Sequence, residues 1–350
     1  FFCCSYTFLC GSGSEDAQRT ANSNGAIGNG ALTSNKTSEG CVAVGGEALQ
    51  MNTAANNTAV GFQALEENTT GNDNVAVGAF ALDANITGAT NVAIGASALG
   101  SCTAGSQNVA VGRSALINNT ASNNTAVGFE ALEANTTGSV NVAIGVAALE
   151  NSTTSSHNVA VGYNALNDQT TGGANVAIGS GALDTCTTGS YNTAVGKGAL
   201  EDLTTSEDNT AIGRLAGRNI TIGNRNTCLG HLAGTNITEA SDSICIGHNT
   251  SVNGATTSSQ IVIGSSSVAK GNRTFFVNSD SGVYHGGNTT TWTTTSDRRI
   301  KKNIIDNSEG LSVINQIAVK NFEYKTAEEI EADGEVDVTD AVPKTGTQIG

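Results

Sequence analysis

The chain has 350 residues, a formal charge of −15, 43 glycines, one proline and 4% aromatic residues. So few aromatics exclude an enzyme domain packed around large ring side chains, and an acidic chain without an aromatic-basic groove argues against a nucleic-acid partner. The apolar residues, nearly all Ala, Val, Ile and Leu, are diluted with Asn, Thr, Ser and Gly, so only their order along the chain separates a fold from disorder.

Residues 1–23 open with "FFCCSYTFLC", which is apolar but too short to span a bilayer. This N-terminal segment is read as the edge of an incomplete reading frame, with the tail of a signal sequence as the alternative. No transmembrane segment is predicted elsewhere.

From residue 24 to 268 the order becomes periodic. A small residue, then Val, Ile or Leu, then Gly recurs at Gly28, Gly45, Gly61, Gly78, Gly95, Gly112, Gly128, Gly145, Gly162, Gly179, Gly196, Gly213, Gly230, Gly247 and Gly264. The spacing is 17, with two steps of 16. Asn recurs four residues before the glycine, except at Cys41, Ser243 and Gln260, and Ala-Leu follows it as far as Ala199-Leu200. A fixed short period marks a solenoid whose units pack only on their neighbours.

Within one unit, "NVAVG" alternates β-branched and small residues and predicts a short strand closed by a turn. Val109 and Val111 then share one face, Ala110 and Gly112 the other. The next residues, "xxAL", fit either a second strand or a single helical turn. "NTTG" is turn chemistry, with its Gly available for positive φ. The economical fold is mainly β, a parallel β-roll or β-solenoid of about fifteen 17-residue repeats. At about 4.8 Å per coil it makes a rod roughly 70 Å long. Asn68, Asn85 and Asn135, with Thr69, Thr136, Thr153 and Thr170, then form ladders that hydrogen-bond from coil to coil. So thin a core buries little apolar area, which favours self-association.

Cys228 and Cys245 fall one coil apart in the alanine slot and are the one disulfide candidate pair in the repeats; Cys102 and Cys186 replace the ladder Asn. Buried free thiols acting as small hydrophobes are the preferred reading. His231 and His248 share a register, which the ladder explains without a metal, and no Cys/His spacing implies zinc. The glycines form neither a dinucleotide fingerprint nor a P-loop. No cofactor and no metal is expected. Sequons such as Asn68-Thr69-Thr70 recur because the unit recurs.

Residues 269–295 lose the period and read as a neck of a few connecting strands. Residues 296–350 begin an α+β module: "SDRRIKKNI", then a predicted helix over "SEGLSVINQIAV" with Ser308 as N-cap, then a strand in "VKNFEYK". Ser296 and Lys301 are a candidate nucleophile and base, because the cations Arg298, Arg299 and Lys302 lower the pKa of Lys301 while Asp297 opposes them. In an extended strand the two Cα atoms lie roughly 16 Å apart, so a bend or a neighbouring chain has to bring them together. On residue types alone a solvated basic patch is the better reading.

The repeats, read as "NTAVGxxALxxNTTG", resemble the YadA-like head repeats of trimeric adhesins and similar arrays in phage tail fibres. That resemblance implies a parallel β-roll with three chains side by side, serving as stalk or binding head. "SDRRIKKNI", "VKNFEYK" and the terminal "TQIG" resemble the start of the intramolecular chaperone auto-processing domain of phage tail spikes, fibres and endosialidases. By position this implies Ser296 as nucleophile, Lys301 as general base, Thr295–Ser296 as the cleavage site, and orienting or structural roles for Asp297 and Arg299. The domain in residues 296–350 stops partway through the family's pattern.

The resulting expectation is a homotrimeric structural fibre or adhesin segment of a phage tail, in the virion, whose C-terminal chaperone assists trimer folding and cuts its own chain once. Its partners are further copies of itself and a glycan or protein receptor on a host surface, without membrane insertion. The alternative is a non-cleaving trimeric adhesin of a bacterial surface. Repeats so alike are expected to offer no singular binding surface.

Overall fold

The structure is a computed structural model that describes residues 8–10, 23–278, 283–286 and 293–294. All of these belong to the first of two units into which the chain divides, Phe1–Thr295. Fifteen three-residue strands, β2 (Gly25–Ile27) through β16 (Ile261–Ile263), pair in parallel, each with the next in sequence. Each precedes one of the fifteen register glycines, and no helix occurs among the described residues. The protein is therefore a parallel β-solenoid of about fifteen turns.

The ladder extends at both ends. β1 (Phe8–Cys10) pairs in parallel with β2, Phe8 opposite Gly25, in the same 17-residue step. Gly11 stands 17 residues before Gly28, so a signal of this extra rung lay in the segment read as non-repetitive. At the other end β17 (Thr274–Val277) continues the parallel stack, and β18 (Val283–Gly286) and β19 (Thr293–Thr294) fold back as antiparallel strands.

The period-2 reading of the strand holds throughout. The central residue of each repeat, Ala in twelve and Cys228, Cys245 and Val262 in the last three, is buried, as at Ala110 and Ala143, while the flanking residues face out. The "xxAL" segment is neither strand nor helical turn. The second residue after the register glycine and the Leu four after it both take left-handed backbone, for example Glu130 (φ 57°) and Leu132 (φ 53°). A left-handed conformation costs an L-residue about 1–2 kcal/mol. Full burial of the Leu side chain returns about 1.5–3 kcal/mol, and the Leu132 N–H donates to the Ala148 carbonyl one coil on (3.0 Å). The bond to the next coil, not local propensity, selects the turn.

Beyond Leu200 the Leu slot becomes Gly217 and then Gly234, and Ile220 and Ile237 fill the core from three residues later. A Cβ on Gly217 would lie 2.9 Å from Leu200 Cδ2 and 3.1 Å from Ile220 Cδ1, so the exchange conserves volume. This is why the Ala-Leu signature decays while the solenoid continues.

The Gly of "NTTG" is selected differently from the turn expectation. Gly71, Gly88 and Gly138 have no positive φ. A Cβ on Gly138 would sit 2.1 Å from the Ser155 carbonyl of the next coil and 2.4 Å from Asn135 Oδ1. Close coil approach, not turn geometry, keeps the side chain away. The two 16-residue coils lose one residue of this corner: Asn52 Nδ2 donates to the carbonyl two residues on, at Ala54 (2.8 Å), whereas Asn68 reaches three residues on to Gly71 (2.9 Å).

Two Asn ladders run inside. In the ladder four residues before each glycine, the Asn158 N–H and Nδ2 both donate to Asn141 Oδ1 (3.0 and 3.2 Å), and Asn141 repeats this with Asn124. In the second, Asn85 Nδ2 donates to Asn68 Oδ1 (2.7 Å) and Asn68 Nδ2 to Asn52 Oδ1 (2.6 Å). The Thr row differs from a side-chain ladder: Thr136 Oγ1 donates to the backbone carbonyl of Thr153 (2.9 Å), and Thr69 to that of Ile86 (3.0 Å). Asn68 and Asn135 are fully buried in this network, so these sequon side chains serve the core rather than glycosylation.

Candidate functional site

Thr295, Ser296, Asp297, Arg299 and Lys301, with the predicted Ser308 cap, lie outside the described residues. What the structure supplies is the approach to them: Thr294 pairs opposite Val283 and Thr293 opposite Tyr284, so β19 carries the chain to within one residue of the Thr295–Ser296 bond.

Other surfaces of functional interest lie on the solenoid. The residue just before the register glycine is Val, Ile or Leu in all fifteen repeats, from Ile27 to Ile263. A sheet face exposed to water would alternate toward polar residues, yet Ile94 and Ile212 are 40% and 41% exposed. Two positions earlier stand Val or Ile in nine coils, Thr in five and Gly25 in one, so the stripe that is apolar along the whole stack is the single row before the glycine.

The turn after each strand carries a second, polar register. Five residues after the glycine stand Glu66, Asp83, Glu133, Glu150, Asp184 and Glu201, and Glu130 projects beside Glu133 and Glu150 so that their carboxylate oxygens lie within 4.8 Å of one another. Partial burial, then Glu130 and Glu150, push the Glu133 carboxyl above the ordinary range; burial, then Asp168 and Glu201, do the same for Asp184. These rows escaped the sequence reading because a single unit holds only one or two carboxylates and only stacking makes them a row. A raised carboxyl pKa means that the folded chain binds protons more tightly than the unfolded chain. Stability is then lost as pH rises through the raised values and gained on acidification toward the ordinary carboxylate value of about 4. Thermal melts followed by circular dichroism should show Tm rising as pH falls through the raised values toward about 4. Glu133→Gln should raise Tm at pH 7 and shrink that rise, by only about 2 °C because the groups are largely solvated. A Tm that falls steadily over this interval would contradict the assignment.

The cysteines behave as small hydrophobes. Cys41, Cys102, Cys186, Cys228 and Cys245 are buried free thiols. Cys228 and Cys245 are direct register partners, and their mutual hydrogen bond, then burial, raise the Cys228 thiol. Burial pushes the Cys186 thiol up to about 12, which leaves it unreactive at neutral pH. His231 and His248 stack with ring centroids 5.2 Å apart, and Arg214 Nη1 lies 3.0 Å from His231 Nε2, an arrangement the register alone explains.

The turn surface also departs from the uniformity expected of the repeats. Two residues after the register glycine, consecutive coils hold Gly181 and Gly198, and a cleft of about 170 Å³ opens there beside Tyr163, Asp184 and Lys197. The sequence signal was two missing side chains 17 residues apart, visible only once the register is aligned.

Residues 296–347 match the family described as chaperone of endosialidase. The match begins at Ser296, two residues after the end of β19. No curated protein and no solved structure matches the chain.

Proposed function

We propose that the chain is a segment of a homotrimeric phage tail fibre whose C-terminal chaperone folds the trimer and then releases itself by cutting Thr295–Ser296. The observation that carries this reading is the junction: a fifteen-turn β-solenoid that ends in β19, followed at once by a stretch matching a chaperone of endosialidase. The likeness of the repeats to the YadA-like head repeats of trimeric adhesins points the same way. The apolar stripe supports self-association, since three copies packed on that face would remove its exposed Val, Ile and Leu side chains from water. A thin solenoid has reason to need a folding aid as well. Parallel rungs pair residues 17 apart along the whole array, and an unfinished stack exposes an open edge.

In the proposed reaction Lys301, its pKa lowered by neighbouring cations, removes the proton of Ser296 Oγ, which attacks the carbonyl carbon of Thr295. The C–N bond breaks, the proton passes to the nitrogen of Ser296, and an ester joins Thr295 to Ser296 Oγ. Water then hydrolyses this ester, leaving a Thr295 carboxylate and a new amino terminus at Ser296. Asp297 and Arg299 take the orienting or structural roles that the family resemblance implies, and cleavage after assembly makes the step report a finished trimer.

The test uses the complete parent protein, as wild type and as Ser296→Ala and Lys301→Ala, on denaturing gels with mass spectrometry and sedimentation. Wild type should divide into two pieces with Ser296 at the new terminus, both variants should stay whole, and the fibre piece should sediment at three times its chain mass. An uncut wild type, or a Ser296→Ala chain cut equally well, overturns the cleavage; a monomeric fibre overturns the trimer.

A further inference from the structure

We infer that the cleft at Gly181 and Gly198 is a binding site for one pyranose ring of an uncharged glycan. The inference concerns the solenoid alone and stands whether or not the chain cuts itself.

The cleft lies where two successive coils of a repetitive surface each lack a side chain. In most coils the position two after the register glycine carries a side chain, such as Glu130 or Phe80. Only at Gly181 and Gly198 do two successive coils of the array lack one, and this opens the volume of about 170 Å³. That is well below the roughly 300–1,000 Å³ of sites for drug-sized ligands, so the space suits one small ring rather than a peptide side of an interface.

Its chemistry is that of sugar recognition. Tyr163 stands at the cleft 60% exposed, a large ring held outward on a rigid rung, and the apolar C–H face of a pyranose can lie against it. Asp184 and Glu201 bring two carboxylates to accept hydrogen bonds from ring hydroxyls, while Asn164 and Lys197 bring donors for ring and hydroxyl oxygens. Asp184 is partly desolvated and faces Asp168 and Glu201, so hydroxyl donors would replace lost water around it. Arg218 is bound to Glu201 (2.9 Å) and fixes that carboxylate in place. Two carboxylates in so small a space, on a chain of net charge −15, disfavour acidic sugars. Lys197 and Arg218 at the same place offset them against an amine.

The structure also provides a blocking variant. Gly181 has φ +65° and a Cβ there would meet nothing within 4 Å, while Asn164 holds the same register one coil earlier at φ 53°. Asn tolerates left-handed backbone, so Gly181→Asn fills the cleft without disturbing the coil. Gly198 is unsuitable, since its Cβ would lie 2.7 Å from Leu215 Cδ2.

The experiment is saturation-transfer NMR on the full chain with millimolar methyl glycosides of glucose, galactose, mannose and N-acetylglucosamine, and with glucuronic acid and glucosamine as charged comparators. At least one neutral glycoside should bind with roughly millimolar affinity, and Gly181→Asn and Tyr163→Ala should each weaken it by about tenfold or more. The melting temperature of Gly181→Asn should stay at the wild-type value, which separates blocking from unfolding. Three outcomes overturn the proposal: no neutral glycoside binds, only a charged comparator binds, or both variants bind like wild type.

Discussion

Gly112→Ala should lower the melting temperature of the solenoid by about 10 °C, a loss on the order of 3 kcal/mol or more. Two independent effects converge at this atom. Gly112 has φ +137°, a region that side-chain-bearing residues scarcely enter, and a Cβ would lie 2.3 Å from the Gly128 carbonyl oxygen of the next coil. Neither neighbour can yield, because the obstructing atom is backbone whose residue is held by the same ladder: the Gly128 N–H donates to the Val111 carbonyl (2.8 Å). In a stack where each coil touches only its neighbours, one such wedge weakens the interface with the next coil and divides the array into two shorter stacks. Gly25→Val is the control. Gly25 sits three residues before the register glycine, where other coils hold Val, Ile or Thr, and nothing lies within 4 Å of its added Cβ. That substitution should leave Tm unchanged or raise it. Circular dichroism melts of the three chains decide the matter, and a Gly112→Ala chain that melts with wild type would show that the stack relaxes more freely than its hydrogen bonds imply.

The period, the strands, the inward Ala and the outward Val were legible because they repeat and because strand patterning has period 2. Leu132 and its equivalents were not, since a Leu, which is not branched at Cβ, argues for helix and only the bond from its N–H to the next coil's Ala carbonyl forces it left-handed. The "NTTG" glycine was recognised and its reason was not: close packing between coils cannot be read from one coil. Phe8–Cys10 was missed because only Gly11 of its repeat survives in recognisable form. The cleft was missed for a related reason, as it is made of absent side chains. Ser296 and Lys301 came from residue chemistry and a resemblance. The family match covers the stretch that begins at Ser296, while the geometry of the pair lies outside the described residues.

The Asn ladder sets the second large effect. Asn141→Ala should cost about 2–6 kcal/mol, because two buried backbone groups would each lose their hydrogen-bond partner, at about 1–3 kcal/mol each. Asn141 Nδ2 donates to the Ser155 carbonyl (2.8 Å), and its Oδ1 accepts the Asn158 N–H (3.0 Å). With Ala at 141, that carbonyl and that N–H stay buried without these bonds, and the gap left by the amide cannot be closed by a backbone held on both sides. Leu at 141 should be no better, since it fills space without offering a donor or acceptor. Ser should fall between, and the chain contains the precedent: where the register residue is Ser243, its Oγ accepts the Gln260 N–H (3.4 Å), and where it is Cys41, the sulphur accepts the Asn57 N–H. The Ser243 hydroxyl thus keeps the acceptor half of the amide's work but turns its own proton to the Ser241 carbonyl two residues back (3.3 Å) rather than to the next coil. The expected order of Tm is wild type, then Asn141→Ser, then Asn141→Ala and Asn141→Leu together. If Leu proved as stable as Asn, burial alone would hold the coils, and the ladder would be a consequence of stacking rather than one of its causes.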